Sequence, residues 1–222
     1  MSQNPYLEYA RSFRRLAVEG RDLPFGGIPK PEKPKLDDDA PVALILSPHP
    51  DDECVIGGLA LRLLRESGVR IVNVAVTLGS NRARQQERLN ELQGACDWIG
   101  FELQEIIPGG LECVTLQTRK NDPKQWERSV DRLREILDQW SPRAVFFPHA
   151  TDWNGTHVGV HFLTEDALLR RPKADTLLIE TEYWGQMPSP NLMVENTPEE
   201  VGDLLAALSH HEGELKRNAF HL

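Results

Sequence analysis

The sequence predicts an α/β fold, a mostly parallel sheet with helices on both faces, and three observations predict it. Short aliphatic runs at residues 42–46, 71–77, 144–147 and 177–183 have the length of strands. The first is apolar at every position, as expected of a parallel strand buried on both faces. Longer amphipathic stretches separate the runs, so the order is β-α-β repeated, which a parallel sheet with helical crossovers satisfies in a Rossmann-like arrangement.

The elements follow in order. Tyr6, Tyr9, Ala10, Phe13, Leu16 and Ala17 recur at helical spacing, and residues 22–40 then carry Pro24, Pro29, Pro31 and Pro34 in an extended arm. Residues 1–40 are thus an appendage whose helix is suited to pack against another copy of the chain, and residues 41–222 form one domain. In that domain the strand at 42–46 lies between Pro41 and Ser47. A helix through Val55, Ile56, Leu59, Ala60, Leu63 and Leu64 ends near Gly68. After the strand at 71–77, Leu89, Leu92, Ala95 and Ile99 share one side of a helix that stops before Gly100. Trp126, Val130, Leu133, Leu137 and Trp140 mark the next helix, before the strand at 144–147. A helix over 157–169 precedes the strand at 177–183. The last segment reads as helical through Val201, Leu204, Leu205 and Leu208 and ends without a cap, as a chain incomplete at that end would.

Composition removes several function classes. Among 222 residues, 34 are acidic and 25 basic, leaving a net charge of -9 and no basic block to track a phosphate backbone, so no nucleic-acid partner is expected. No stretch approaches the roughly 20 apolar residues that span a bilayer, and the first residues lack a secretory signal. The expected location is the cytoplasm, with no membrane partner. Cys54, Cys96 and Cys113 are odd in number and lack a Cys-x-x-Cys pair, so reduced thiols are expected.

The chemistry concentrates in two places. Ser47-Pro48-His49-Pro50-Asp51-Asp52-Glu53 follows the first strand and opens a helix, where open α/β sheets bind their ligands. A helix N-cap at Asp51 or Asp52 accounts for one acid there, not for the whole set of nitrogen and oxygen donors. The second cluster, His149, Asp152, Asn154, His157 and His161, follows the strand at 144–147. Two polar clusters at the carboxyl ends of buried strands can converge on a metal site of three protein ligands with one open position.

With these motifs the sequence resembles the PIG-L or LmbE-like N-acetylglucosaminide deacetylases over roughly residues 43–194. Strand-His49-Pro50-Asp51-Asp52-Glu53 with Gly57-Gly58 carries the resemblance. Arg88-x-x-Glu91-Leu92, Ala95, Ile99-Gly100, the 152–157 segment, Tyr183-Trp184 and Pro190-Asn191 extend it. The resemblance implies zinc held by His49, Asp52 and His157, with Asp51 as general base, although such donors also accept other divalent metals. It implies removal of an acetyl group from an N-acetylated sugar conjugate. The family's second motif reads Asp-x-His-Pro-Asp-His, and here Asp152-x-Asn154-Gly155-Thr156-His157 replaces its first histidine by Asn154. An asparagine amide can donate to an oxyanion but cannot transfer a proton. Either Asp51 also performs the acid step, or His161 or His149 reaches the vacated place.

The remaining candidates each have two readings. His161 lies one turn after His157 and is a residue behind the ligands or a packing residue, or else a direct ligand, and Asp152 orients a liganding imidazole or serves a turn. Arg88, like Arg84, binds substrate or pairs with Glu87 or Glu91. Trp153 and Trp184 stack on a sugar ring or pack in the core. His210 and His211 are expected to face solvent. Competing functions are a metal-dependent amidohydrolase acting on a non-sugar acylated molecule and a non-catalytic metal-binding module. A nucleotide-binding protein is disfavoured, because no Gly-x-Gly-x-x-Gly follows the first strand.

Overall fold

The computed structural model of the chain describes residues 4–171 and 175–219. Helix α1 spans Pro5–Glu19, started by the Asn4 side chain accepting from the Tyr6 amide and by proline at its first position. None of its residues is buried; Tyr6, Tyr9, Phe13 and Leu16 all face outward. The proline-rich arm, by contrast, lies along the domain: the Trp98 indole donates to the Ile28 carbonyl, and Phe25, Ile28 and Leu36 pack on the core.

The domain runs β1 (Val42–Ser47), α2 (Asp52–Val55), α3 (Gly58–Ser67), β2 (Arg70–Ala75), α4 (Gln85–Ile99) and β3 (Glu102–Glu105). It continues with α5 (Leu116–Asn121), α6 (Pro123–Trp140), β4 (Ala144–Pro148), α7 (Gly155–Leu169), β5 (Leu177–Thr181), α8 (Pro198–Leu208) and α9 (Glu212–Leu215). The five strands form one sheet in the order β3-β2-β1-β4-β5, with every pairing parallel.

The expected sheet is therefore present, with differences that have physical reasons. The helix expected from Val55 to Leu64 is two helices. The chain turns at Ile56 and Gly57, where a Cβ on Gly57 would come 2.8 Å from Leu204 of α8. Strand β3 was not expected because Leu103 is its one apolar residue; at a sheet edge it needs no buried run. The short polar helix α5 was likewise unannounced, although Thr115 caps it.

Alternate strand residues feed two cores. Ala43, Ile45 and Ile71 join Leu61, Leu92, Ala95 and Leu208 on one face, while Leu44, Leu46 and Val72 join Val130, Leu133 and Leu163 of α6 and α7 on the other. Helices α3, α4 and α8 do not reach across β5. An apolar groove of about 1580 Å³ remains on that side, lined in part by Phe146, Ile179, Leu192 and Leu205. Among the described residues no helix is long and apolar enough to cross a membrane.

Candidate functional site

The sheet order explains why two clusters a hundred residues apart meet. From β1 the chain winds outward through β2 to β3, then returns to place β4 on the other side of β1. The carboxyl ends of β1 and β4 thus flank the point where the winding reverses, the usual place for a ligand crevice. The loop after β1 delivers His49 to Asp52, and the loop after β4 delivers His149 to His157. The Thr77 hydroxyl donates to the Pro48 carbonyl at 2.7 Å and fixes the first loop against the end of β2.

His49, Asp52 and His157 converge. His49 Nδ1 lies 3.2 Å from His157 Nε2, and each of these nitrogens lies 3.4 Å from Asp52 Oδ2. A tetrahedral cation with bonds of about 2.0–2.1 Å needs donors about 3.3 Å apart, so this set of two imidazole nitrogens and one carboxylate oxygen fits a zinc-like ion. His157 and Asp52 are buried and the His49 side chain is partly open to solvent, which leaves an approach from one side. Burial works to raise the Asp52 carboxyl, but hydrogen bonds from His157 and His49 outweigh it and hold the group well below the usual carboxylate range. The His49 amide also donates to Asp52 Oδ2 at 2.8 Å.

Asp51 occupies the N-cap position of α2, yet its side chain makes no capping hydrogen bond. Capping therefore does not explain its presence. Its backbone has φ of 108°, a conformation that costs a residue with a side chain about 1–3 kcal/mol. Burial first, then the charge of Asp52, lifts its carboxyl well above the ordinary value, against the opposing pull of Arg88. Arg88 lies 3.6 Å from Asp51 Oδ2 and donates to the Pro50 carbonyl at 3.0 Å. Arg88 thus faces the Asp51 turn rather than Glu87 or Glu91. Gly79 makes room for it, since a Cβ there would meet Arg88 Nη1 at 2.2 Å. Arg84 pairs instead with Glu87 and Glu214.

Asp152 Oδ1 accepts the Asn154 amide at 2.8 Å, as a turn residue does, and lies 3.5 Å from His157 Nδ1, a buried atom without a hydrogen-bond partner. Its Oδ2 accepts the amides of Trp184 and Gly185, tying the segment after β5 to the loop after β4. Close approach is required there: a Cβ on Gly185 would come 2.9 Å from Asp152 Cα. Asn154 caps α7, its Oδ1 accepting the Thr156 amide at 2.8 Å. Trp153 is 79% exposed and Trp184 44%, so neither is a core residue.

Neither remaining histidine reaches the place of the missing one. His149 donates from Nε2 to the Gly185 carbonyl at 2.7 Å and accepts the Thr151 amide at Nδ1, so both nitrogens are engaged. His161 donates to the Pro148 carbonyl at 2.9 Å and packs beside Phe147 and Phe162. Those contacts tie α7 to β4.

The sequence reading missed two features. His211 is not at the surface: it is 1% exposed and donates to Glu53 Oε1 at 2.7 Å. No spacing in the last segment distinguishes it from His210, which is only half buried. Tyr183 stands edge-on to His157, ring centroids 4.7 Å apart, with its hydroxyl buried and lacking a hydrogen-bond partner. Burial, then the charge of Asp52, raises that phenol well above its usual value, so it stays protonated and able to donate.

No curated protein matches the sequence. Among solved structures, the N,N'-diacetylchitobiose deacetylase from Pyrococcus horikoshii is 19% identical, with 96% of this chain and 82% of that one covered at a TM-score of 0.56. Teicoplanin deacetylase Orf2 in its zinc-inhibited form is 14% identical, with coverage of 78% and 85% and a TM-score of 0.58. The 4-carboxy-2-hydroxymuconate hydratase GalB from Pseudomonas putida KT2440 is 16% identical, with coverage of 81% and 86% and a TM-score of 0.56. At these identities the likeness establishes the fold. The PIG-L family, described as GlcNAc-PI de-N-acetylase, matches residues 44–168, more than half of the 222-residue chain, and the protein belongs to that family.

Proposed function

We propose that the protein is a metal-dependent hydrolase that removes the acetyl group from an N-acetylated, N-acetylglucosamine-type sugar conjugate. One observation carries the reading: a His49, Asp52 and His157 set with donor spacings of 3.2–3.4 Å beside Asp51, an acid that neither caps its helix nor ligates.

A divalent cation, which His49, Asp52 and His157 would hold, would supply Lewis acidity to an amide carbonyl oxygen and lower the pKa of water toward neutrality; zinc suits these donors, as do other divalent metals. The chain's own residues supply the rest. Asp51 takes the proton of the attacking water at its carboxylate, and the surroundings that raise its affinity for protons suit it to hold that proton until the departing nitrogen accepts it. Return of the proton by Asp51 would also serve as the acid step. Asn154 has no proton to transfer, and His149 and His161 are engaged elsewhere. The Asn154 amide and the Tyr183 hydroxyl, which stands beside His157 without a hydrogen-bond partner, are neutral groups that could donate to a developing oxyanion. Arg88 holds the Asp51 carboxylate in place, a role that precedes any contact with substrate. Trp153 and Trp184 present exposed aromatic faces on which a sugar ring can stack.

The deciding experiment combines metal analysis with acetate release from a panel of N-acetylated glycosides. One divalent ion per chain with acetate released is expected. Stoichiometric metal without acetate from any glycoside overturns the sugar deacetylase reading. Acetate or another acid released only from a non-sugar amide would move the substrate class.

A further inference from the structure

We propose that His211, delivered by the C-terminal α8–α9 segment, is a positioning residue that holds the Asp51 turn in its strained conformation through Glu53. Asp51 at φ of 108° directs its amide inward, where Glu53 Oε2 accepts it at 3.0 Å. The other oxygen of the same carboxylate accepts from His211 Nε2 at 2.7 Å and from the Cys54 thiol at 3.2 Å. One buried carboxylate thus bridges the base's own backbone to a histidine 158 residues away.

The anchor at the far end is rigid. Leu208 and Leu215, on either side of His211, are both buried in the core with Leu61 and Leu92. Gly213 donates its amide to Glu91 at 2.7 Å, and Arg84 pairs with Glu214, so α9 is tied to α4 on both sides of its turn. If His211 is removed, a fully buried carboxylate keeps only a weak thiol donor on one oxygen. Glu53 then turns toward any other partner and releases the Asp51 amide. His211 lies outside residues 44–168, so the family match does not assign it a role.

Glu53, Cys54 and His211 also qualify by residue type as a second metal-ligand set. There His211 Nε2 and Glu53 Oε1 are in direct hydrogen bond at 2.7 Å, closer than the donors of a zinc-like ion stand.

The inference rests on the deacetylase reading only in calling Asp51 the base; the hold on the turn is a separate claim with its own readout. Hydrogen exchange of the segment containing Asp51 and acetate-release kinetics are compared for wild type, His211→Leu, His211→Asn and His211→Gln. Glutamine can donate to Glu53 from nearly the same place, whereas asparagine is polar but too short. In the leucine and asparagine variants the amides around Asp51 should exchange at least about tenfold faster, with α6 and α7 protected as in wild type. For the same variants kcat should fall about tenfold or more, with KM and the single bound metal unchanged. His211→Gln should restore both to within about threefold of wild type. Unchanged exchange at the Asp51 turn in whichever of the two variants folds overturns the proposal. So does failure of His211→Gln to rescue, or a second metal ion per chain that His211→Asn abolishes. A wild type that releases no acetate refutes the deacetylase reading and leaves the exchange comparison to decide this one.

Discussion

Two triads share the short helix α2. Asp52 belongs to the His49, Asp52 and His157 set, and its neighbours Glu53 and Cys54 belong to the Glu53, Cys54 and His211 set. The first has donors 3.2–3.4 Å apart, two of them competing for one carboxylate oxygen, and one imidazole open to solvent. The second is closed, buried and joined by direct hydrogen bonds. The same residue types in adjacent positions thus make a vessel for a cation in one set and a brace in the other. What separates them is the 2.7 Å contact of His211 with Glu53, shorter than the edge of a zinc-like coordination sphere, whereas no donor pair of the open set is closer than 3.2 Å.

The largest effects should come from the open triad. Asp52→Ala and His157→Ala are expected to lose the metal, with turnover falling to the level of uncatalysed hydrolysis. Asp51→Asn should keep the metal and lose about 10²–10⁴-fold in kcat, the usual range for a general base. Metal analysis on the variants that purify, beside acetate release, separates ligand from base. If Asp51→Asn turns over at the wild-type rate, Asp51 is not the base.

Next in size is the response to chelation. A cation present at 100 times its dissociation constant adds about 2.7 kcal/mol, which for a chain of this length raises the melting temperature by roughly 5–10 °C. Stripping the metal should therefore lower the melting temperature of wild type and of Cys54→Ala by the same amount, and leave Asp52→Ala unmoved. A smaller chelator shift in Cys54→Ala than in wild type would show that the closed triad also binds metal.

These residues also show what the sequence could and could not reveal. The open triad was legible because His49 and Asp52 sit within four positions on a strand-to-helix turn, and because β1 and β4 announce themselves as buried apolar runs. The second cluster followed from its place after β4, and the choice of His157 within it came from the family resemblance. The closed triad was not legible: His211 is distinguished only by the packing of Leu208 and Leu215 around it, which depends on α8 docking against α2, α3 and α4. Strand β3 escaped for a related reason, being an edge strand recognisable by its pairing with β2 rather than by its residues. The engagement of His149 and His161 likewise depends on backbone carbonyls at Gly185 and Pro148, which no side-chain pattern encodes.

A smaller effect follows from the unequal electrostatics of Asp51 and Asp52. Asp52 has its carboxyl held low, so it contributes stability above the unfolded carboxylate pKa of about 3.9, lost as the pH falls through the lower folded value. Asp51 has its carboxyl held high, so the folded state binds more protons than the unfolded one above about pH 3.9 and stability declines as pH rises toward the folded value. In the metal-free protein Asp51→Asn should therefore raise the melting temperature at pH 7, by less than metal loading does, with the gain vanishing below pH of about 4. A lower melting temperature at pH 7 would show that the Arg88 pairing outweighs the cost of burial.

The smallest effect belongs to the rim of the open triad. Trp153 is 79% exposed and contributes little to the core, so Trp153→Ala should leave the melting temperature unchanged. Its contribution would come through stacking on a sugar ring, worth about 0.5–1.5 kcal/mol, which predicts a KM higher by about 2- to 10-fold at constant kcat. Trp184, half as exposed and with its amide held by Asp152, should behave the same way with some loss of stability added. Steady-state kinetics on a glycoside and on an acetylated amine without a ring distinguish the cases. If both substrates lose equally on removal of Trp153, the indole is shaping the loop after β4 rather than contacting a sugar.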